Sequence, residues 1–70
     1  MARDNEERAE LAEEALNAFD IASDEPGGLS DEELLLDLLT NLRHWAKREG
    51  LDFDKADSMA EVHYLVEAVS

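Results

Sequence analysis

The chain is organised around the stretch Leu29-Ser-Asp-Glu-Glu-Leu-Leu-Leu-Asp-Leu-Leu-Thr-Asn-Leu-Arg-His-Trp-Ala-Lys-Arg-Glu-Gly50. Ser30 and Glu33 have the spacing of a capping box, in which each side chain bonds a backbone N–H group that the helix leaves unpaired. Acidic residues follow this start and basic residues precede Gly50, as the helix dipole favours. Gly50 can adopt the left-handed conformation that ends a helix. These signals predict a helix over about residues 31–49.

A further helix is predicted on each side of this stretch. The first covers about residues 4–22 and has Asp4 or Asn5 as its N-cap. The third covers about residues 53–69. The linker over residues 23–30 carries the strongest helix-breaking signal of the chain, a proline followed by two glycines.

The connection between the second and third helices is short, so these two helices must be antiparallel neighbours. A chain of 70 residues is long enough for one small domain with a modest core. The sequence therefore predicts an all-α fold, a three-helix bundle that forms a single domain over residues 1–70. Its second and third helices form a tight antiparallel hairpin, and its N-terminal helix is acidic.

Helical periodicity assigns one apolar packing face to each helix. These faces comprise Leu11, Ala15, Ala18, Phe19 and Ala22 in the first helix; Leu35, Leu38, Leu39, Leu42 and Ala46, flanked by Leu34 and Trp45, in the second; and Ala56, Met59, Ala60 and His63, flanked by Phe53, Tyr64 and Val66, in the third. The face of the first helix is mostly alanine, so its burial contributes little stability.

The leucine surface of the second helix is broader than two short partner helices can cover. Leu36 lies at the polar border of that helix, and Leu65 points away from the packing face of the third. Exposed apolar surface of this kind is typical of interfaces. A homodimer is therefore expected to use Leu34, Leu36, Trp45 and Leu65.

The net charge is −13, from 19 acidic and 6 basic residues, and it is unevenly distributed. Residues 1–37 hold 13 acidic and 2 basic side chains, which gives −11, whereas residues 38–70 carry −2. Nucleic acid and anionic membranes should repel such a protein. A basic protein surface should attract it, and salt should weaken that attraction.

A row of carboxylates on the first helix is the candidate binding surface. Residues three or four apart on a helix lie about 5–6 Å apart, and phosphates recur every ~3.4 Å of axis along each DNA strand. The row could therefore imitate a phosphate backbone and occupy the basic groove of a nucleic-acid-binding protein. Its predicted members are Glu6, Glu10, Glu13, Asp20 and Asp24, extended by Asp31, Glu32 and Asp37. The alternative interpretation is a solvated face that only keeps the protein soluble.

The two histidines have ordinary structural interpretations. His63 lies within an apolar face, where it is either a metal ligand or general base, or a core histidine hydrogen-bonded to a neighbour such as Glu67. His44 lies on the solvent side of its helix. Neither has the spacing of a helical metal site, so we expect no metal and no cofactor.

An enzymatic function is not expected either. The all-α nucleoside-triphosphate pyrophosphohydrolases bind magnesium through two paired acidic elements, and Glu10 and Glu13 match the first. Glu33 and Asp37 are four residues apart instead of three, so the second element fails. The sequence has no glycine-rich phosphate loop and no nucleophile elbow. We therefore predict a non-enzymatic protein with no catalytic residues.

The sequence predicts a cytoplasmic location. It contains no cysteine, which is compatible with a reducing compartment. The N-terminus is acidic and polar, unlike a signal peptide, and no apolar run reaches membrane-spanning length.

The second half of the chain resembles short uncharacterised proteins of bacteriophages and plasmids. The segments that carry this resemblance run from Asp37 to Asp54 and from Met59 to Tyr64. It implies an origin on a mobile element and a location in the host cytoplasm. The acidic first half is similar in character to phage inhibitors that mimic DNA, including anti-CRISPR proteins.

These observations lead to two functional hypotheses. The first is an acidic, DNA-mimic-like inhibitor that blocks a basic nucleic-acid-binding protein of host defence. The alternative is a helical homo-oligomer with a structural or adaptor role, whose acidity only provides solubility.

Overall fold

The computed structural model describes residues 4–23 and 25–69 and places three helices within them. They are α1 (Asn5–Ala22), α2 (Asp31–Glu49) and α3 (Phe53–Ala68), and no strand occurs in these two ranges. The predicted all-α fold class with three helices is confirmed. Each observed helix begins and ends within one residue of its predicted bounds.

Both ends of α2 are fixed by the groups that the sequence indicates. The Glu33 N–H donates to Ser30 Oγ at 3.2 Å, and the Ser30 N–H donates to Glu33 Oε1 at 3.4 Å. At the other end Gly50 has φ +73°, and its N–H donates to the Lys47 carbonyl at 3.2 Å. The Leu51 N–H donates to the Ala46 carbonyl at 2.8 Å. This pair of bonds is a Schellman motif, which satisfies carbonyls that the helix end leaves open.

The other two helices begin at aspartate caps. The Asp4 carboxylate accepts from the Glu7 N–H at 2.8 Å, which settles the choice between Asp4 and Asn5. The Asp52 carboxylate accepts from the Lys55 N–H at 3.0 Å. Each cap satisfies one backbone donor in the first turn.

The chain divides into two compact units, residues 1–40 and residues 41–70. We call them the N-terminal unit and the C-terminal unit. The division lies inside α2, between Thr40 and Asn41, and not at the proline–glycine linker. Each unit therefore combines one part of α2 with one flanking helix.

In the N-terminal unit the linker is tied to the end of α1. The Gly28 N–H donates to the Glu25 carbonyl at 3.0 Å, and Gly27 has φ +80°. Residues 25–28 therefore form a type II turn, with Pro26 at its second position. This turn type requires a positive φ at its third residue, which is Gly27. The Gly27 N–H also donates to both carboxylate oxygens of Asp20, each at 3.1 Å.

In the C-terminal unit, Arg43 joins α2 to the beginning of α3. Its Nη1 lies 3.0 Å from Asp54 Oδ1, and its guanidinium carbon lies 4.4 Å from the centroid of the half-buried Phe53 ring. One side chain on α2 thus makes an ion pair and a cation–π contact to α3. These contacts are between α2 and α3, the two helices of the predicted hairpin.

Fewer side chains of α2 are buried than the sequence predicts. Among the described residues the buried hydrophobic side chains are Leu34, 8% exposed, and Ala46, 5% exposed. Leu38 is half-buried. The prediction was wrong for other members of the leucine face, because the short flanking helices cover too little of α2. The exposed members are Leu35, Leu39, Leu42 and Trp45.

The predicted faces of α1 and α3 are also mostly exposed. In α1, Leu16 and Phe19 are half-buried, while Leu11 and the three alanines of its predicted face are exposed. In α3, Phe53 and Glu67 are half-buried, while Ala56, Met59, Ala60 and His63 are exposed. Apolar residues occur on several sides of both helices, so periodicity does not single out the side that packs.

Candidate protein-binding surface

The boundary in charge coincides with the boundary between the two units. Residues 38–40 carry no charge, so the N-terminal unit has the full −11 and the C-terminal unit has −2. Two arginines can neutralise at most two of the thirteen carboxylates of the N-terminal unit. The strong negative potential of this protein therefore originates in its N-terminal unit.

Three of the predicted binding residues form a row along α1. Glu6, Glu10 and Glu13 are exposed and follow one another at spacings of four and three residues. Helical geometry places such residues on one side of the helix, about 5–6 Å apart between Cβ atoms. We call these three residues the α1 row.

A groove beside the α1 row is lined by one of its members and by a fourth predicted residue. The groove has a volume of about 510 Å³. Glu13 and Asn17 from α1 line it together with Asp31 from α2. Its apolar lining consists of Ala9, Ala12, Leu16, Leu34 and Leu35. The fold thus brings Glu13 and Asp31, which are far apart in sequence, into the lining of one apolar groove.

The other predicted carboxylates do not extend the row. Asp20 is half-buried and accepts the Gly27 N–H, so it positions the linker turn. Asp24 lies outside the described residues. Glu32 and Asp37 are exposed, but at 100° per residue they point about 100° and 120° away from Asp31 around α2. The ordered part of the predicted surface is the α1 row with Asp31.

The part of the apolar lining that α1 supplies was not predicted from the sequence. Ala9, Ala12 and Leu16 have the i, i+3, i+7 spacing of a helix face, and this spacing was the available signal. The predicted face, centred on Ala15 and Ala18, lies on another side of α1. Alanine occurs on both sides, so composition alone could not distinguish them.

The histidines are both exposed. His44 therefore lies on the solvent side of α2, as predicted. The interpretation of His63 as a core histidine was wrong, because α3 packs through another face. Among the described residues, no group of three or more histidine, aspartate and glutamate side chains could hold a metal ion.

The residues expected in a homodimer interface differ in accessibility. Leu34 is buried and cannot contribute to an interface as predicted, because it belongs to the small core. Leu36, Trp45 and Leu65 are exposed and remain available. Within residues 4–23 and 25–69, no helix combines the length and apolarity needed to cross a bilayer.

Comparisons with protein-family models, with curated proteins and with solved structures give no significant match to this chain.

Proposed function

We propose that this protein is a non-enzymatic inhibitor whose N-terminal unit occupies the basic, nucleic-acid-binding surface of another protein. One observation carries the proposal: the N-terminal unit holds −11 of the net charge of −13, and the α1 row is exposed along one side of a helix. Nucleic acid itself would be repelled, so the partner must be a basic protein.

The α1 row supplies the repeated charge that such a partner recognises. A surface that binds nucleic acid presents lysine and arginine side chains at intervals that match phosphates. Carboxylates at helical spacing can pair with the same cations. Long-range attraction would accelerate the encounter, and complementary charge would exclude acidic proteins.

The groove beside the row adds a site for one basic side chain of the partner. Lysine and arginine have apolar stems that pack along hydrophobic surface while their charged ends stay near carboxylates. Such a stem can lie on Ala12 and Leu16, with its charge between Glu13 and Asp31. This arrangement would give the complex a defined register, which a diffuse acidic face would not.

The resemblance to phage and plasmid proteins supports a partner in host defence. A CRISPR effector is the kind of partner expected, because it holds nucleic acid in a positively charged channel. The site of action would then be the host cytoplasm.

The test begins with capture of partners from a bacterial lysate on the immobilised chain, followed by their identification. The affinity for the identified partner is then measured by calorimetry at about 50 mM and about 300 mM NaCl. We expect binding to weaken about tenfold or more across this range, and DNA or RNA to compete for the partner.

Two matched variants separate the α1 row from net charge. Glu10→Gln with Glu13→Gln removes two carboxylates from the row, and Asp57→Asn with Glu61→Gln removes two exposed carboxylates from α3. The first variant should weaken binding about tenfold, and the second less than about threefold. Equal effects of the two variants, or an affinity that does not depend on salt, would refute the proposal.

A helical homo-oligomer is the second candidate function, and the exposure of Leu36, Trp45 and Leu65 favours it. In this case the carboxylates would serve only solubility. Light scattering tests it directly: a strict monomer at high concentration removes this candidate.

A further inference from the structure

An apolar stripe runs along α3 and reaches Val69, the residue that caps its C-terminal end. Met59, Val62, Val66 and Val69 are 54%, 59%, 62% and 86% exposed. Their spacings of three, four and three residues are those of positions a and d in a heptad repeat. We call these four residues the α3 seam. The half-buried residues of α3, Phe53 and Glu67, lie on the opposite side of the helix.

The edges of the α3 seam carry no carboxylate. Ser58 and Leu65 flank it on one side, and His63 flanks it on the other. The exposed acidic residues of the middle of α3, Asp57 and Glu61, lie away from the seam. The seam also belongs to the unit with a charge of only −2. A second copy of this highly acidic chain therefore meets the least repulsion here.

The charges at the two ends of the seam are complementary. Lys55 is exposed and lies in line with the seam, one helical turn before Met59. At the other end, the last turn of α3 contains no basic residue, although a cation there would stabilise its open carbonyls. In an antiparallel pair centred on Val62, Lys55 of each copy lies beside the C-terminal end of the other α3.

We propose that a second copy of this chain covers the α3 seam, in a two-fold, antiparallel pairing of α3 helices centred on Val62. A self-complementary patch of this kind is the usual basis of a homodimer. Each dimer would carry two α1 rows. The proposal does not depend on the proposed inhibitor function, because the α1 row and the α3 seam lie in different units.

Sedimentation equilibrium of the full chain tests the proposal. The wild-type chain should dimerise, and Val62→Glu with Val66→Glu should raise the dissociation constant about 100-fold or more, because the seam would bury unpaired carboxylates. Tyr64→Glu with Ala68→Glu is the matched control, since it makes two changes at the same spacing on another side of α3. It should leave the dissociation constant within about threefold of wild type.

Cysteine cross-linking gives a second measurement that does not rely on a disruptive variant. The chain contains no cysteine, so Val62→Cys introduces one thiol per copy. Under mild oxidation it should form a covalent dimer, because the two thiols would face each other on the two-fold axis. Met59→Cys should not, because antiparallel pairing separates the two residues by about 9 Å along the helices.

Three results would overturn the proposal. A wild-type chain that stays monomeric would show that no second copy covers the seam. A dimer that survives the two glutamates would place the interface elsewhere, for example on the leucines of α2. Efficient cross-linking through Met59→Cys would contradict the antiparallel pairing. Circular dichroism of each variant confirms that its helices are retained.

Discussion

The N-terminal and C-terminal units are built alike but differ in what they expose. Each combines part of α2 with one flanking helix, and among its described residues each has one buried hydrophobic side chain, Leu34 or Ala46. The N-terminal unit exposes carboxylates, whereas the C-terminal unit exposes the apolar α3 seam. Two units built in the same way therefore present chemically different surfaces, one acidic and one apolar.

This comparison also indicates which interactions stabilise each unit. Since few side chains are buried, hydrophobic burial alone contributes little, and helix caps and turns supply a larger share than in a big domain. The N-terminal unit has the larger buried side chain, Leu34, whereas in the C-terminal unit Arg43 on α2 contacts both Asp54 and Phe53 of α3. Substitutions at matched positions can separate these contributions.

The largest effect is expected from truncating the core of the N-terminal unit. Leu34→Ala should lower the free energy of unfolding by about 2–3 kcal/mol, because it removes buried methyl groups and leaves a cavity. In the C-terminal unit, Ala46→Gly should cost about 1 kcal/mol, mainly through helix propensity. Urea unfolding followed by circular dichroism measures both.

Leu36→Ala is the control for Leu34→Ala, because Leu36 is exposed in the same turn of α2. It should change the free energy of unfolding by about 0.5 kcal/mol or less. If the two truncations had equal effects, Leu34 would not be the core residue of the N-terminal unit.

Each unit also depends on one glycine with positive φ, and the next largest effect is expected there. A Cβ atom added at Gly27 or Gly50 would meet no heavy atom within 4 Å, so only the backbone conformation opposes a side chain. Gly27→Ala and Gly50→Ala should each lower the free energy of unfolding by about 1–2 kcal/mol. Urea unfolding of the two variants compares the linker turn with the end of α2.

D-Alanine at either glycine provides the control, and a chain of 70 residues is accessible to chemical synthesis. D-Alanine favours positive φ and restricts the unfolded chain, so it should stabilise the protein by about 0.4–1 kcal/mol. A loss of stability with D-alanine would show that space, and not backbone conformation, limits these positions.

The helix ends could be predicted from sequence, because local groups determine them. Ser30, Glu33 and Gly50 each act on backbone atoms a few residues away, so the signal and the structure lie in the same short segment. The buried faces could not be predicted so well. They depend on which of several alanine-rich sides is covered, and a small core gives no strong preference.

The candidate binding surface could likewise be predicted only where it depends on a single helix. The α1 row follows from spacing within one helix, so the sequence contains it. The presence of Asp31 and Glu13 in the lining of one groove depends on how α1 packs beside α2, which periodicity does not specify. Asp20 was predicted to face a partner, but its carboxylate accepts a hydrogen bond from the Gly27 N–H, which lies seven positions further along the chain.

A smaller effect is expected at the helix caps of the two units. Ser30→Ala and Asp52→Ala each remove the side-chain acceptor of a first-turn N–H group, and each should cost about 1 kcal/mol. Ser58→Ala, in the middle of α3, should cost nothing, because alanine is the better helix former. Thermal unfolding measures all three; a loss of stability for Ser58→Ala like that of the caps would contradict this assignment.

The smallest effect on stability is expected from removing carboxylates of the α1 row, which lie close to other carboxylates on the same helix. Glu10 has acidic neighbours three and four residues away in both directions, and like charges at these spacings destabilise a helix. Glu10→Gln with Glu13→Gln should therefore raise the free energy of unfolding by about 0.5 kcal/mol at low salt. Asp57→Asn with Glu61→Gln, in the C-terminal unit, should raise it by about 0.2 kcal/mol.

Salt distinguishes this electrostatic gain from a gain in helix propensity. At about 1 M NaCl the Debye length falls to about 3 Å, so the difference between the two variants should disappear; a difference that persists would mean that charge is not its cause. The variant that is more stable at low salt is the one expected to bind a basic partner less well. A row of carboxylates that weakens its own helix is consistent with selection for binding, since function commonly opposes stability at binding sites.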